Sequence, residues 1–432
     1  MGIYFGTDGI RGQYGKDINP KIAYNLGNSI AKLCKNRKKI LIGRDTRASG
    51  DVLLHGFVSG VLSYGIDIID VGITPTPVIS YLTKKLNFDY GVVISASHNP
   101  SNHNGIKIFN REGCKLDEIE ESSIEKNLIY PTEKISRLGK YFYKPKLIKL
   151  YKNEVYSHFN NLSGLKVAVD CANGATSKLA KELFTKCRAT VLAINTSTNG
   201  KKINKNCGAL FPEKISNLTT KLNCDIGFSF DGDGDRIIAC DEKGKILDGD
   251  DILFLLSDQF KAPKVVGTIT SNKGLELALK EKNIEFFRAD VGDKNVRLMM
   301  QKQSAFLGGE TCGHIINSQF SNSGDGILTA LSIAQHLKTN QTKLSQMTTF
   351  KKFPQVCKNV SVSDKQKILS SPPLQKYLSE KENVIQTSGR IVVRASGTEN
   401  KIRIMCEHQN PTEAQKITDE ISAILGNLDK ND

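Results

Sequence analysis

The chain repeats one pattern three times, and the repetition limits the folds that are open to it. Each repeat begins with an apolar, strand-like run that leads through a polar turn into a helix-like stretch. The three openings are KKILIGRDTR (38–47), GLKVAVDCANG (164–174) and KVVGTITSNKG (264–274). Continuous aliphatic runs followed by turns and helices are typical of buried parallel strands in α/β units. We therefore predict an α/β protein with several such units in series.

A second strand-like run follows each opening, and each of these runs ends in an unusual polar loop. The three segments are YGVVISASHNP (90–100), DIGFSFDGDGDR (225–236) and SAFLGGETCGH (304–314). We call their polar ends the serine loop (95–100), the acidic loop (231–236) and the glycine–glutamate loop (308–314). Because ligands bind beyond the carboxyl ends of strands in open α/β sheets, we expect the three loops to face one shared cleft.

The C-terminal part of the chain differs from the three repeats. Residues 384–407 are typical of two strands around a polar loop, and helical apolar spacing begins at Pro411. These features predict a smaller α+β domain. With 432 residues, the chain is also too long for a single core. We predict four domains, which cover residues 1–145, 146–243, 244–352 and 353–432.

The acidic loop carries three carboxylates at alternate positions, Asp231, Asp233 and Asp235, with glycines between them. Such hard oxygen donors suit Mg²⁺ or Ca²⁺ and not Zn²⁺. An EF-hand also begins with alternating aspartates, and Glu242 stands at its twelfth position. However, Arg236 occupies the sixth position, where an EF-hand needs glycine, and the flanking residues are typical of strands. We predict a magnesium site that is shared with a phosphate.

The serine loop follows a buried strand, so we expect the Ser97 hydroxyl to be exposed on a tight turn. An acyl hydrolase would need G-x-S-x-G around its serine, and SASHN does not supply it. The adjacent His98 cannot be assumed to point back at the serine as its base. A serine that itself carries phosphate fits better, because the phosphate could add an oxygen ligand to the metal held by the acidic loop.

Two further loops carry candidate binding residues. In the glycine–glutamate loop, Glu310 and His314 could bind sugar hydroxyls or move protons, and the H-E-x-x-H spacing of a zinc site is absent. The terminal loop (394–403) places arginines around S-G-T, where backbone amides and guanidinium groups favour a phosphate. Its candidate residues are Arg394, Ser396, Gly397, Thr398 and Arg403.

Composition limits the class of partner. The net charge of +15 would suit a nucleic-acid-binding protein, but no nucleic-acid-binding signature accompanies it. A lysine-rich surface that attracts an anionic substrate is the simpler interpretation. No apolar run approaches the length of a membrane span, no secretory signal is visible, and the ten cysteines show no CxxC pair. We expect a cytoplasmic protein that acts on a small molecule, without nucleic-acid or membrane partners.

The four loops occur in the order found in the α-D-phosphohexomutases, and the chain resembles this family over nearly its whole length. FGTDGIRG at 5–12, together with GGE-x-x-GH, is most similar to the branch that acts on hexosamine phosphates. The resemblance implies three similar α/β domains and a smaller C-terminal domain around a central cleft.

The same resemblance assigns the site residues. It makes Ser97 a phosphoserine that binds one Mg²⁺ per active site together with the three aspartates of the acidic loop. It places Arg11 and Arg236 near the transferring phosphoryl group, with His98 and Lys107 beside the serine. The sugar would be bound by Glu310, Cys312 and His314, and its phosphate by the five residues of the terminal loop.

The activity implied by the resemblance is the interconversion of glucosamine 6-phosphate and glucosamine 1-phosphate, a step towards UDP-N-acetylglucosamine. Glucosamine 1,6-bisphosphate would be the intermediate and would also prime the serine. A mutase for glucose or mannose phosphates is the alternative, and a monomer and a homodimer are both open. Four residues depart from the family pattern: Cys312 replaces serine, Lys294 replaces arginine, and Ala395 and Asn400 replace prolines.

Overall fold

A computed structural model describes residues 5–6, 8–34, 39–128, 137–159, 161–347, 350–396 and 400–430. The described residues form two compact units. The first lies within Met1–Thr268 and Phe287–Thr348, and the second within Ile269–Phe286 and Thr349–Asp432. The four domain boundaries given above remain a prediction.

The first sheet has six strands in the order β1-β5-β4-β2-β3-β6. Its central strands are parallel, and β5 runs antiparallel to both β1 and β4. The run Ile40–Ile42 is wholly buried, because helices cover both faces of the sheet. The strands are β1 Ile10–Gln13, β2 Lys39–Arg44, β3 Asp67–Ile73, β4 Tyr90–Ile94, β5 His103–Phe109 and β6 Tyr141–Tyr143. The helices are α1 Pro20–Leu33, α2 Gly50–Ser63, α3 Thr76–Leu86 and α4 Glu118–Asn127.

The second sheet has the order β11-β10-β9-β7-β8, with β7, β8 and β9 parallel. Strands β9 and β10 form a hairpin in which Phe230 pairs with Ile237, and the acidic loop is its connection. The strands predicted on either side of this loop are therefore confirmed. The strands are β7 Lys166–Asp170, β8 Thr190–Ile194, β9 Ile226–Phe230, β10 Ile237–Asp241 and β11 Ile246–Leu247. The helices are α5 Ile148–His158, α6 Thr176–Lys186 and α7 Glu213–Lys221.

The third sheet has the order β13-β12-β14-β15. Strands β14 and β15 pair in an antiparallel hairpin, with Gly309 opposite Ile315, so the glycine–glutamate loop closes this hairpin. The strands are β12 Lys264–Thr268, β13 Glu285–Ala289, β14 Leu307–Gly309 and β15 Ile315–Asn317. The helices are α8 Gly249–Gln259, α9 Lys273–Glu281, α10 Asp293–Gln303, α11 Gly326–Asn340 and α12 Leu344–Met347, of which α9 belongs to the second compact unit.

The C-terminal part forms a three-stranded antiparallel sheet in the order β16-β18-β17. Alternate residues Ile402, Ile404 and Cys406 face a core that they share with helix α15. The strands are β16 Gln355–Ser361, β17 Gly389–Ala395 and β18 Lys401–His408. The helices are α13 Lys365–Leu369, α14 Pro372–Ile385 and α15 Pro411–Lys430.

Three sheets flanked by helices in α/β arrangements, and a smaller antiparallel sheet with helices, confirm the predicted fold class. The sequence indicated β17, β18 and α15 but not β16. Among the described residues, no helix combines the length and the apolar character that crossing a bilayer requires.

Candidate active site

Ser97 lies in the serine loop between β4 and β5 with a positive φ of 52°, which is uncommon for a residue with a side chain. Its backbone N–H donates to Ser95 Oγ at 2.9 Å. Its Oγ donates to Asp231 Oδ2 at 2.6 Å and lies 3.5 Å from Asp235 Oδ1. The expectation of an exposed hydroxyl is wrong, because the acidic loop covers it and Ser97 is fully buried.

The three aspartates of the acidic loop are buried, and one oxygen from each lies within 4.8 Å of the others. Asp231 Oδ1 accepts hydrogen bonds from the backbone N–H groups of Gly234 at 3.0 Å and Arg236 at 3.2 Å. Burial, followed by the charges of Asp235 and Asp233, raises the pKa of Asp231 well above its ordinary value. Gly234 has a φ of 73°, and a Cβ there would lie 2.5 Å from Thr176 Cγ2, so this turn requires glycine.

Lys107 brings a positive charge against the acidic loop. Its Nζ lies 2.8 Å from Asp233 Oδ2, 2.8 Å from Asp235 Oδ2 and 3.1 Å from Asp8 Oδ2. Burial alone would lower the pKa of Lys107, but the three carboxylates outweigh burial and hold the pKa well above its usual value. Asp8 was missed as a site residue, although the FGTDGIRG segment that contains it was noted.

The acidic loop fits a divalent metal ion. It presents three close carboxylates, and Asp233 Oδ1 is buried without a hydrogen-bond partner among the described residues. Buried carboxylates at this spacing repel one another unless positive charge compensates them, and the Lys107 ammonium supplies a single charge. An all-oxygen donor set favours a hard cation.

The glycine–glutamate loop places His314 beside the acidic loop. His314 Nδ1 lies 3.9 Å from Asp235 Oδ1, and Nε2 lies 3.4 Å from Asp293 Oδ2. Glu310 Oε1 accepts a hydrogen bond from the Gly292 N–H at 3.0 Å, and the Cys312 side chain is exposed. The loop therefore offers a carboxylate, a thiol and an imidazole close to the aspartates.

Asp293 joins two parts of the site that the sequence did not connect. Its carboxylate pairs with Lys115 at 2.5 Å, and Lys115 also contacts Asp8. Lys294, the next residue, pairs with Glu121 Oε2 at 3.1 Å instead of lying free. Of these two neighbours, only Lys294 was identified from the sequence, as a departure from the family pattern.

Two arginines surround His98. His98 Nδ1 lies 3.4 Å from Ser97 Oγ. Burial, followed by the charges of Arg236 and Arg11, lowers the pKa of His98 to about 4, so the imidazole is neutral at pH 7. Arg11 Nη1 lies 3.5 Å from Asp8 Oδ2, and Arg236 Nε is buried without a partner among the described residues. The arrangement leaves guanidinium donors for an anion near Ser97.

The terminal loop belongs to the second compact unit. Arg394 of β17 lies opposite Arg403 of β18 in the antiparallel register. Arg403 Nη2 lies 3.5 Å from Ser396 Oγ. The Ser396 carbonyl accepts a hydrogen bond from Lys365 Nζ at 2.8 Å. The predicted residues Gly397 and Thr398 lie outside the described residues. Of the two departures in this loop, Ala395 ends β17, and the Asn400 carbonyl accepts a hydrogen bond from the Val362 N–H at 3.1 Å.

Comparison with known proteins extends over the whole chain. Models of phosphoglucomutase/phosphomannomutase match as domain I at residues 2–133, domain II at 146–244, domain III at 248–353 and the C-terminal domain at 358–424. The phosphoglucosamine mutase of Carboxydothermus hydrogenoformans is 40% identical over 447 residues and covers 99% of this chain and 100% of the relative. That of Bacillus subtilis is 40% identical over 426 residues and covers 94% of each.

Solved structures share the fold. A phosphoglucomutase/phosphomannomutase family protein from Burkholderia thailandensis superimposes with a TM-score of 0.83 at 22% identity and covers 97% of this chain and 96% of its own. An N-acetylphosphoglucosamine mutase from Aspergillus fumigatus, in complex with GlcNAc-6P and magnesium, has a TM-score of 0.69 at 18% identity and covers 98% of this chain and 95% of its own.

Proposed function

The chain belongs to the α-D-phosphohexomutase superfamily, on its phosphoglucosamine mutase branch, and we propose that it interconverts glucosamine 6-phosphate and glucosamine 1-phosphate. The observation that carries the proposal is the hydrogen bond of Ser97 Oγ to Asp231, within a buried cluster of three aspartates. A serine in this position can carry the transferred phosphate, and the relatives at 40% identity supply the class of substrate.

The reaction has two transfers. In the first, the P–O bond to Ser97 breaks, and a new bond forms to the free C1 hydroxyl of the 6-phosphate. The proton of this hydroxyl passes to a base, and Ser97 Oγ takes up a proton. The bisphosphate then reorients in the site. In the second, Ser97 Oγ gives up its proton and binds the C6 phosphoryl group, and the C6 oxygen takes up a proton as its bond to phosphorus breaks. His98, Lys107 and His314 are the candidate acids and bases, since all three lie at the serine or the acidic loop.

Positioning and charge provide most of the rate in phosphoryl transfer. Asp231, Asp233, Asp235 and the phosphate on Ser97 would hold Mg²⁺, which supplies charge neutralisation for the transferring group. The guanidinium groups of Arg236 and Arg11 would stabilise the phosphoryl oxygens.

Binding of the substrate would use the two remaining loops. We assign the sugar hydroxyls to Glu310, Cys312 and His314, and the second phosphate to Arg394, Ser396, Gly397, Thr398 and Arg403. Glucosamine 1,6-bisphosphate would prime an unphosphorylated serine. The enzyme would act in the cytoplasm on free sugar phosphates, as a monomer or a homodimer.

The test is Ser97→Ala, with Ser101→Ala in the neighbouring turn as the matched control. Mutase activity is expected to fall by at least ~1000-fold in Ser97→Ala, which corresponds to about 4 kcal/mol of transition-state stabilisation. Intact-mass analysis should find one phosphate on the wild type and on Ser101→Ala, and none on Ser97→Ala. Near-normal activity of Ser97→Ala would contradict the phosphoserine mechanism.

The identity of the sugar is tested with the same preparation. Rates of the wild-type protein on glucosamine, glucose and mannose 6-phosphates should be highest for glucosamine. A higher kcat/KM for glucose or mannose phosphate would favour the neighbouring branch of the superfamily and leave the phosphoserine assignment intact.

A further inference from the structure

The main-chain carbonyl of Ser97 is held from three sides. It accepts hydrogen bonds from Arg47 Nη2 at 2.9 Å and from Asn204 Nδ2 at 2.8 Å. On the third side lies Gly232 of the acidic loop, where a Cβ would approach the Ser97 carbonyl oxygen to 2.6 Å. Because Ser97 has a positive φ, contacts outside the residue must maintain this backbone conformation.

Asn204 reaches the serine loop from the second sheet region, 107 residues further along the chain. Its Nδ2 donates to the Ser97 carbonyl and also to the Asn99 carbonyl at 3.0 Å, so both amide hydrogens are used. Arg47 Nη2 donates to the same two carbonyls. The Ser97 and Asn99 carbonyls thus each accept one hydrogen bond from Arg47, which follows β2 of the first sheet, and one from Asn204, in the region of the second sheet.

The segment that carries Asn204 is itself fixed. The Asn204 N–H donates to the Ala172 carbonyl at 2.9 Å, which ties it to the end of β7. Gly200, in the same segment, packs so closely on residues 46–48 that a Cβ would lie 2.3 Å from both Ala48 N and the Thr46 carbonyl oxygen. The Asn204 amide is therefore presented to the serine loop from a rigid support.

We propose that Asn204 is a positioning residue for phosphoryl transfer at Ser97. By holding the Ser97 and Asn99 carbonyls, its amide maintains the left-handed backbone that directs Ser97 Oγ to within 2.6 Å of Asp231. The inference rests on the proposed phosphoserine function and assigns a role to a residue outside the four loops. A displacement of about 1 Å at a reacting group can cost ~100-fold in rate, so loss of this support is expected to slow the chemical step.

The test is Asn204→Asp, which keeps the shape of the side chain and its tolerance of positive φ, but turns a carboxylate oxygen towards two carbonyl oxygens. Asn206→Asp is the matched control, because Asn206 lies two residues away, also has a positive φ and is exposed. Dephosphorylated protein is mixed with glucosamine 1,6-bisphosphate, and the phosphorylation of Ser97 is followed by intact mass. The melting temperature and the mutase kcat and KM are measured alongside.

We expect Ser97 of Asn204→Asp to be phosphorylated at least ~10-fold more slowly than Ser97 of the wild type. The mutase kcat should fall by a similar factor, and KM should change less than ~3-fold. Asn206→Asp should match the wild type. A normal phosphorylation rate in Asn204→Asp would overturn the positioning role. If Asn204→Asp melts well below the wild type, the phosphorylation rate is measured in Asn204→Gly instead, because glycine removes both amide donors and permits positive φ. Slow phosphorylation of Asn204→Gly supports the positioning role, and a normal rate overturns it. Absence of Ser97 phosphorylation in the wild type would instead refute the proposed function.

Discussion

Replacing Arg47 by lysine is expected to destabilise the first compact unit by about 3 kcal/mol, although the charge is conserved. Arg47 is 1% exposed, and its Nε pairs with the buried Asp45 Oδ2 at 2.9 Å. The rest of its guanidinium donates to backbone carbonyls of the serine loop and the turn after it. These carbonyls belong to Ser97, Asn99, Pro100 and His103.

The magnitude follows from counting donors. A lysine ammonium has three N–H groups at a single point, whereas the guanidinium has five in a planar fork. If the ammonium keeps its pairing with Asp45, it can serve about two of the four carbonyls, and two lose a charged donor. Hydrogen bonds to charged groups contribute about 1.5 kcal/mol or more each, so the loss is about 3 kcal/mol.

Urea denaturation followed by far-UV circular dichroism measures the effect, since the chain contains no tryptophan for fluorescence. Arg44→Lys is the matched control: Arg44 ends β2, shortly before Arg47, but it pairs at 2.6 Å with an Asp51 side chain that is 60% exposed. That pair should be worth less than ~1 kcal/mol. A loss below ~1 kcal/mol in Arg47→Lys, or an equal loss in Arg44→Lys, would refute the donor count.

Two further predictions concern charge. Addition of Mg²⁺ should raise the melting temperature of the wild type but not that of Asp233→Asn. Asp258→Asn, which changes an exposed carboxylate in α8, is the control and should respond like the wild type. Equal shifts in all three proteins would exclude the acidic loop as the magnesium site. Burial raises the pKa of Asp325 from 3.8 to about 6, so its contribution to stability is fully present below about pH 4 and is lost as the pH rises to 6. Asp325→Asn, which keeps the cap of α11, should remove this dependence of about 3 kcal/mol, measured by urea denaturation at pH 4 and pH 7.

The parts of the fold that could be predicted from sequence are those with a local signature. Residues 40–42 indicate a buried strand because all three, Ile-Leu-Ile, are apolar and consecutive in the chain. The acidic loop is recognisable because its three aspartates lie within five consecutive residues. Strand β16 was missed for the converse reason: most of its residues are exposed, so it shows neither alternation nor an apolar run.

The parts of the site that could not be predicted from the sequence are contacts between segments that are distant along the chain. Asn204 and Arg47 bind main-chain carbonyls, and a carbonyl acceptor leaves no trace in the identity of its residue. Burial of Ser97 was likewise unpredictable, because the residues that cover it come from the second sheet. Local patterns therefore indicated Ser97 and the acidic loop, but not Asn204 and Arg47, which bind main-chain carbonyls of the serine loop.

The charged groups around the acidic loop form a closed sequence of contacts that explains why so many can be buried together. Asp8 and Asp235 both contact Lys107, His314 lies between Asp235 and Asp293, and Lys115 joins Asp293 back to Asp8. Burial alone would raise the pKa of Asp8, yet the charges of Lys107, Lys115 and Arg11 hold its pKa well below the ordinary value. Each carboxylate of this ring therefore touches two basic side chains. Asp231 is outside the ring, and burial, followed by the charges of Asp235 and Asp233, raises its pKa well above the ordinary value. A divalent cation bound by the acidic loop would add positive charge beside Asp231, which lies outside the ring.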